Sequence, residues 1–238
     1  MTCHPDACQI LADGAAAGAQ GEPITDVVFD FGGVLTVWDP GAVLIGRYDD
    51  TAIRRFLDNA ESGFHDACAM RDGGATADEA REWMRRTHGE AWAGMYGYYS
   101  QHFVDSLVGC VPGARRLVQD LRDAGIGTWG LSNWAQDDFA IARPLFPVFG
   151  LLRDYVVSGF EGVCKPDKAI YELAIGRFGI DRAHAVFVDD KPANVTAANS
   201  VGLRAIRFGG DHRALRRTLV AAGVPIPRGD AQPGDAVS

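Results

Sequence analysis

Four stretches of this chain place chemistry-bearing side chains where apolar runs end. Asp30 follows Val27-Val28-Phe29 and precedes Phe31, Gly32 and Gly33. Ala185 to Val188 ends in the carboxylate pair Asp189-Asp190, and Ile126 to Leu131 ends in Ser132-Asn133. Lys165 stands in Gly162-Val163-Cys164-Lys165-Pro166-Asp167, just ahead of a helical stretch. These types suit phosphoryl transfer. A carboxylate such as Asp30 can attack phosphorus in line, forming an aspartyl-phosphate that water then hydrolyses. Asp30, Asp189 and Asp190, brought together, would raise one another's pKa unless a cation joined them. Mg²⁺ suits that place, because it favours carboxylate oxygens, a main-chain carbonyl and waters. The Ser132 hydroxyl, with neighbouring backbone N–H groups, can hold phosphate oxygens, and Lys165 adds a positive charge. Each feature alone has a plainer reading: a turn for Ser132-Asn133, a helix cap for Asp189-Asp190, a solvated surface lysine for Lys165. Asn194, four residues past Asp190, can shape the same loop. Order and spacing together carry the chemistry.

For these groups to meet, they must stand at the carboxyl ends of neighbouring parallel strands, where open α/β sheets bind ligands. The βα alternation supplies such strands at Ile24–Asp30, Ile126–Leu131, Tyr155–Val157, Ala185–Val188 and Leu203–Phe208. Between and after them run helical stretches at Ala114–Ala124, Asp137–Arg143, Asp167–Phe178, Pro192–Val201 and His212–Ala222. The pattern predicts an α/β fold with a Rossmann-like, doubly wound parallel sheet. Residues 39–108 break it and read as an inserted helical bundle without strands. There Asp49-Asp50-Thr51 can cap one helix, and Thr76 with Glu79 has the spacing of a capping box. A third helix is expected from Glu90 to Leu107, with Trp92, Met95, Tyr96, Tyr99 and Phe103 as packing residues. The core domain is thus expected at 23–38 and 109–224, with disordered tails at 1–22 and 225–238.

At 238 residues with 47% hydrophobic content, the chain is long enough for such a core and a smaller insert. Its net charge of -8, with no basic block, argues against nucleic acid and anionic membranes as partners. An anionic substrate would therefore need a local positive site, including a metal ion. No apolar run approaches the ~18 residues of a membrane span, and no secretory leader is visible. The five cysteines are odd in number and irregularly spaced, which suggests reduced thiols in a cytoplasmic protein. Cys3, His4 and Cys8 lack the second pair that a tetrahedral metal site requires.

The four segments, in this order, resemble the haloacid dehalogenase-like (HAD) hydrolases. The resemblance rests on Val-Val-Phe-Asp30-Phe-Gly-Gly-Val, Leu-Ser132-Asn133, Lys165-Pro-Asp with Ile170-Tyr171, and Val-Phe-Val-Asp189-Asp190, and it covers Ile24 to Ala222. It implies Asp30 as nucleophile and Ser132, Asn133 and Lys165 as phosphate-binding residues. It also implies Mg²⁺ held by Asp30, Asp189, Asp190 and the Gly32 carbonyl. The insert resembles the family's C1-type cap, a lid over the substrate.

One position departs. Phosphatases of the family usually carry a second Asp two residues after the nucleophile, as general acid and base. Gly32 stands there, and general acid–base catalysis contributes ~10²–10⁴-fold. Three readings accommodate this. The first is a phosphatase with another proton donor, for which a cap residue such as His65 is a candidate, or with a good leaving group such as an anomeric sugar phosphate. The branch resembling α-glucose-1-phosphate phosphatases has Gly here, and small phosphorylated metabolites would be the substrates. The second is a metal-free 2-haloacid dehalogenase, which the carboxylate pair argues against. The third is a catalytically silent binding module, which leaves the intact Asp30 and Lys165 unexplained. Specificity would fall to cap residues such as His65, Arg71, Trp92 and Tyr96.

Overall fold

The computed structural model describes residues 23–228. Strand β1 (Asp26–Phe29) leads through Gly32 and Gly33 into β2 (Thr36–Trp38). Five helices follow: α1 (Asp50–Leu57), α2 (Asn59–Ser62), α3 (Phe64–Asp72), α4 (Ala77–His88) and α5 (Glu90–Gln101). The chain returns through β3 (Leu107–Cys110) and resumes alternation with α6 (Ala114–Asp123), β4 (Gly127–Ser132) and α7 (Gln136–Ala142). Next come β5 (Asp154–Val157), the short α8 (Ser158–Glu161) and α9 (Lys168–Phe178). Last are β6 (Ala185–Asp189), α10 (Pro192–Ser200), β7 (Ala205–Arg207) and α11 (His212–Ala221).

The main sheet is parallel and ordered β5-β4-β1-β6-β7. Phe29 at the end of β1 pairs with Gly130 on one side and Val188 on the other, so the next residues of the three strands emerge together. The chain winds outward from β1 through β4 and β5, then restarts on β1's other side with β6. The direction therefore switches between β1 and β6, which opens a crevice beside Asp30. Side chains alternate across β1: Val28 packs with Tyr171, Ala174 and Phe187 on one face, Val27 and Phe29 with Leu117, Leu121 and Leu219 on the other. That two-faced burial explains why these strands read as continuous apolar runs.

The insert has the caps its sequence predicts. Asp49 accepts hydrogen bonds from the Thr51 and Ala52 amides, and Thr76 with Glu79 forms a reciprocal capping box. Each is worth about 1 kcal/mol of helix stability. The expected third helix is shorter than its pattern. It stops at Gln101, and Leu107–Cys110 is a strand, paired antiparallel with Thr36–Trp38. A four-residue run is too short for periodicity to assign; its partner strand makes it β. The ribbon of β2 and β3 is the double crossing between the helical insert and the sheet domain. It is reinforced where Asp39 N–H donates to Ser106 O and Val111 N–H to Leu35 O.

At the other end, the chain beyond α11 is tied down at two points: Ile226 is buried and Arg216 donates to the Pro227 carbonyl at 2.9 Å. The remaining positions read as tails lie outside the described residues, as do Cys3, His4 and Cys8. Cys68, Cys110 and Cys164 are free thiols. No helix among the described residues is long and apolar enough to cross a membrane.

Candidate active site

The three central strands deliver their polar ends to one place. Asp30, Ser132 and Asp189 come from β1, β4 and β6, all three at most 5% exposed. Lys165 comes from the loop before α9. Its ammonium donates to the Leu131 carbonyl at 2.9 Å and to Asp189 Oδ2 at 2.7 Å, and lies 2.9 Å from Asp30 Oδ1. All three of its N–H bonds are thus engaged. Ser132 Oγ donates to the same Asp30 oxygen at 2.9 Å, as does the Phe31 amide at 2.6 Å. Asp30 Oδ2 takes part in none of these bonds, and Asp30 lines the cavity above.

Asn133 acts at one remove. Its side-chain amide donates to the Lys165 carbonyl and accepts from the Lys165 N–H, both at 2.8 Å, so it clamps the lysine's backbone beside β4. Asn194 does the same for Asp189, donating to both carboxylate oxygens at 3.0 Å, while Tyr171 OH donates to the Asn194 carbonyl. Gly33 has φ +78°, and a Cβ there would fall 2.8 Å from Asp190 Oδ2, so only glycine lets this turn pass the carboxylate.

The charges do not balance within the protein. Burial is the largest influence on Asp30 and pushes its carboxyl up to about 6; Lys165 opposes this and Asp189 adds to it. Burial and then Asp189 also raise Asp190. Lys165 is held above its ordinary value because Asp30 and Asp189 outweigh its own burial. One ammonium touches this trio of carboxylates, and Lys191 acts on Asp190 only by its charge, so negative charge remains in excess. Oxygens of Asp30, Asp189 and Asp190 lie within 4.8 Å of one another, and Asp190 Oδ1 is buried without a hydrogen-bond partner. A divalent cation answers both the excess charge and the orphaned oxygen.

Above the carboxylates lies a cavity of about 460 Å³ lined by both domains. Of the insert residues expected to set specificity, Arg71 and Tyr96 line it. His65 does not: it is exposed and packs edge-on to Phe64 and Trp38. Trp92 faces a separate surface hollow beside Asp49. Trp38, Asp72, Trp134 and Asp138 line the main cavity without having been singled out in the sequence. Nothing in their spacing marks them: Asp72 and Asp138 meet the site through packing of α3 and α7, Trp38 at the end of β2 and Trp134 just after β4.

Arg71 is the bolt between insert and sheet domain. Buried at 3% exposure, it pairs with Asp138 at 3.0 Å and also with Asp137, both on α7. Burial pushes Asp138 up to about 6 against the pull of Arg71. The folded protein therefore holds this proton more tightly than the unfolded chain, whose value is near 3.8. Asp138's contribution to stability is full below that value and is lost as pH rises through about 6. Asp138→Asn is expected to flatten that part of the pH dependence of the thermal midpoint. An unchanged slope would show that Asp138 does not titrate in this window.

The haloacid dehalogenase-like hydrolase model matches residues 26–202, from the start of β1 to beyond α10. The chain belongs to that family. Among relatives of this hydrolase, the sesquiterpene phosphatase astK of Aspergillus oryzae is 34% identical over 98 residues, 40% of this chain and 50% of that protein. Across the curated relatives it matches, the aligned stretch spans between 20% and 50% of their length. In fold, this hydrolase is similar to a HAD family enzyme of Bacteroides thetaiotaomicron solved as a magnesium complex. The TM-score is 0.63 at 20% identity, over 80% of this chain and 96% of that one. It is also similar to the L-2-haloacid dehalogenase of Xanthobacter autotrophicus, with TM-score 0.53 and 22% identity over 84% of each chain. Such identities speak for the fold alone. The site's own residues must decide the reaction.

Proposed function

We propose that this hydrolase is a Mg²⁺-dependent phosphatase acting on a small phosphomonoester through an aspartyl-phosphate on Asp30. The observation that carries this is the uncompensated carboxylate cluster with its orphaned Asp190 oxygen. A metal-free dehalogenase has no use for either. Asp30, Asp190 and the Gly32 carbonyl would hold the ion. Asp189, whose oxygens already accept from Lys165 and Asn194, completes the negative site. Bound there, Mg²⁺ supplies the positive charge that offsets repulsion between an attacking carboxylate and a phosphate dianion.

The chain's own groups perform the rest. Asp30 attacks with the oxygen that Lys165, Ser132 and the Phe31 amide do not occupy. Ser132 and Lys165 hold the other Asp30 oxygen, and the Lys165 charge offsets negative charge on the transferring phosphoryl group. Asn133 keeps Lys165 in place and acts on phosphate through it. The insert closes the cavity as a cap, with the β2–β3 ribbon as its stem.

A release assay on phosphomonoesters with Mg²⁺ and with EDTA tests the reading. Metal-dependent phosphate release is expected; halide release from 2-haloacids that persists in EDTA would overturn it.

The cavity's organic end is walled by Val37, Trp38, Tyr99, Phe103 and Trp134. That lining favours a phosphoester with an apolar or aromatic body over a polyhydroxylated sugar phosphate, and it accords with the name of the Aspergillus relative. Each buried methylene contributes about 0.8 kcal/mol, or about fourfold in kcat/KM. A series from ethyl to hexyl phosphate is therefore expected to climb by up to that factor per carbon. Faster turnover of hexose phosphates than of hexyl phosphate would refute the apolar preference.

A further inference from the structure

The empty position at Gly32 leaves the leaving-group oxygen without a proton donor on the sheet domain. Its backbone is not in the left-handed region, and a Cβ there would meet nothing within 4 Å. The space an acid would fill is thus open cavity rather than packed protein. The insert presents a carboxyl to that cavity. Asp72, the last residue of α3, lines the same cavity as Gly32, Asp190 and Lys191. It is half-buried, and no hydrogen bond ties it down: its neighbours act on it through charge alone. Its own helix carries Arg71, which is spent on Asp137 and Asp138.

We infer that Asp72 is the catalytic proton donor of this hydrolase, delivered by the insert in place of a side chain at Gly32. The inference rests on the phosphatase reading above. In the first step Asp30 forms its bond to phosphorus, the bond from phosphorus to the ester oxygen breaks, and the Asp72 proton passes to that oxygen. An alcohol leaves and Asp72 is a carboxylate. In the second step the carboxylate takes a proton from water as the water oxygen attacks phosphorus. Inorganic phosphate leaves, and Asp30 and protonated Asp72 are restored.

The surroundings suit the role. Burial pushes the Asp72 carboxyl up to about 7; Lys191 pulls most strongly against this, with Arg71 and Lys165 assisting, and Asp138 adds to the rise. Cys68, on its own helix, and Cys164, in the loop beneath, are the other titratable groups that sense its charge. An acid near neutrality can both give and take a proton during one turnover. It also arrives only when the insert is docked, so chemistry and closure are coupled.

Leaving-group dependence separates this role from a structural one. p-Nitrophenyl phosphate leaves without protonation, and hexyl phosphate does not. With Mg²⁺ present, Asp72→Asn is expected to slow first-turnover release of hexanol from hexyl phosphate by about 10²-fold or more while the first-turnover burst of p-nitrophenol keeps the parent's rate; steady-state turnover of both esters falls, because the second step also uses Asp72. The alkaline limb of the hexyl phosphate profile should vanish with it. Gly32→Asp in the Asp72→Asn background should restore hexyl phosphate turnover, which shows that the loss is of a proton and not of fold. Equal losses in the first-turnover release of both alcohols, or no loss in either, would overturn the assignment. A parent protein that releases phosphate from neither ester would overturn the phosphatase reading itself, and this inference with it.

Discussion

Replacing Asp30 with asparagine is expected to abolish phosphate release, by roughly 10⁴-fold or more if Asp30 is the nucleophile, without lowering the thermal midpoint. Both halves follow from the geometry. The amide cannot form the covalent intermediate, so no partial chemistry survives. Yet ionisation of Asp30 is less favourable in the metal-free fold than in the unfolded chain, because burial, with Asp189 adding to it against Lys165, raises its carboxyl to about 6. Asparagine removes one of three crowded negative charges and keeps an oxygen that can accept from Ser132 and the Phe31 amide. Measuring kcat and the melting curve on one preparation checks the pair. Retained turnover would move the nucleophile elsewhere; a collapsed midpoint would show that Asp30 also holds the fold.

Lys165→Met should do the opposite and damage stability as well as activity. The lysine is the buried counter-charge for Asp30 and Asp189 and a donor to the Leu131 carbonyl. Removing one partner of a buried ion pair costs about 3–5 kcal/mol, because the remaining charges stay buried and unpaired. Urea unfolding of the metal-free protein should show a loss of that size. Mg²⁺ should recover part of it, since a cation bound only by the folded site stabilises the fold by mass action. A variant as stable as the parent would mean that the carboxylates simply take up protons. The contrast between the two substitutions is diagnostic: one lightens the negative cluster, the other uncovers it.

Much of this site is legible in the linear chain because the fold is a repeated local pattern. Each apolar run ending in Asp30, Ser132 or Asp189 is a buried parallel strand. Parallel strands joined by helices must carry their carboxyl ends on one edge. The convergence of those three groups therefore follows from alternation alone, and Lys165 joins them because it opens the helix between two of the strands. Gly32 is visible for the same reason, as a position of known distance from the nucleophile.

The insert is different. Its helix starts could be read from Asp49 and from Thr76 with Glu79, since a cap is a contact between residues two or three apart. Which helical faces look into the cavity could not. His65 and Asp72 lie near α3's two ends; packing leaves His65 exposed and puts Asp72 on the cavity, within reach of the Lys191 charge. The Arg71 pairing with Asp137 and Asp138 joins helices of different domains, and β3 is a strand only because β2 lies beside it. The chain by itself determined the α/β class and set Asp30, Ser132 and Asp189 at strand ends with glycine at position 32, because strand–helix alternation and residue spacing are short-range facts. Only the tertiary structure decided what stands in the gap. A proton donor must meet its substrate in space, and the docking of α3 over the sheet's edge sets that distance.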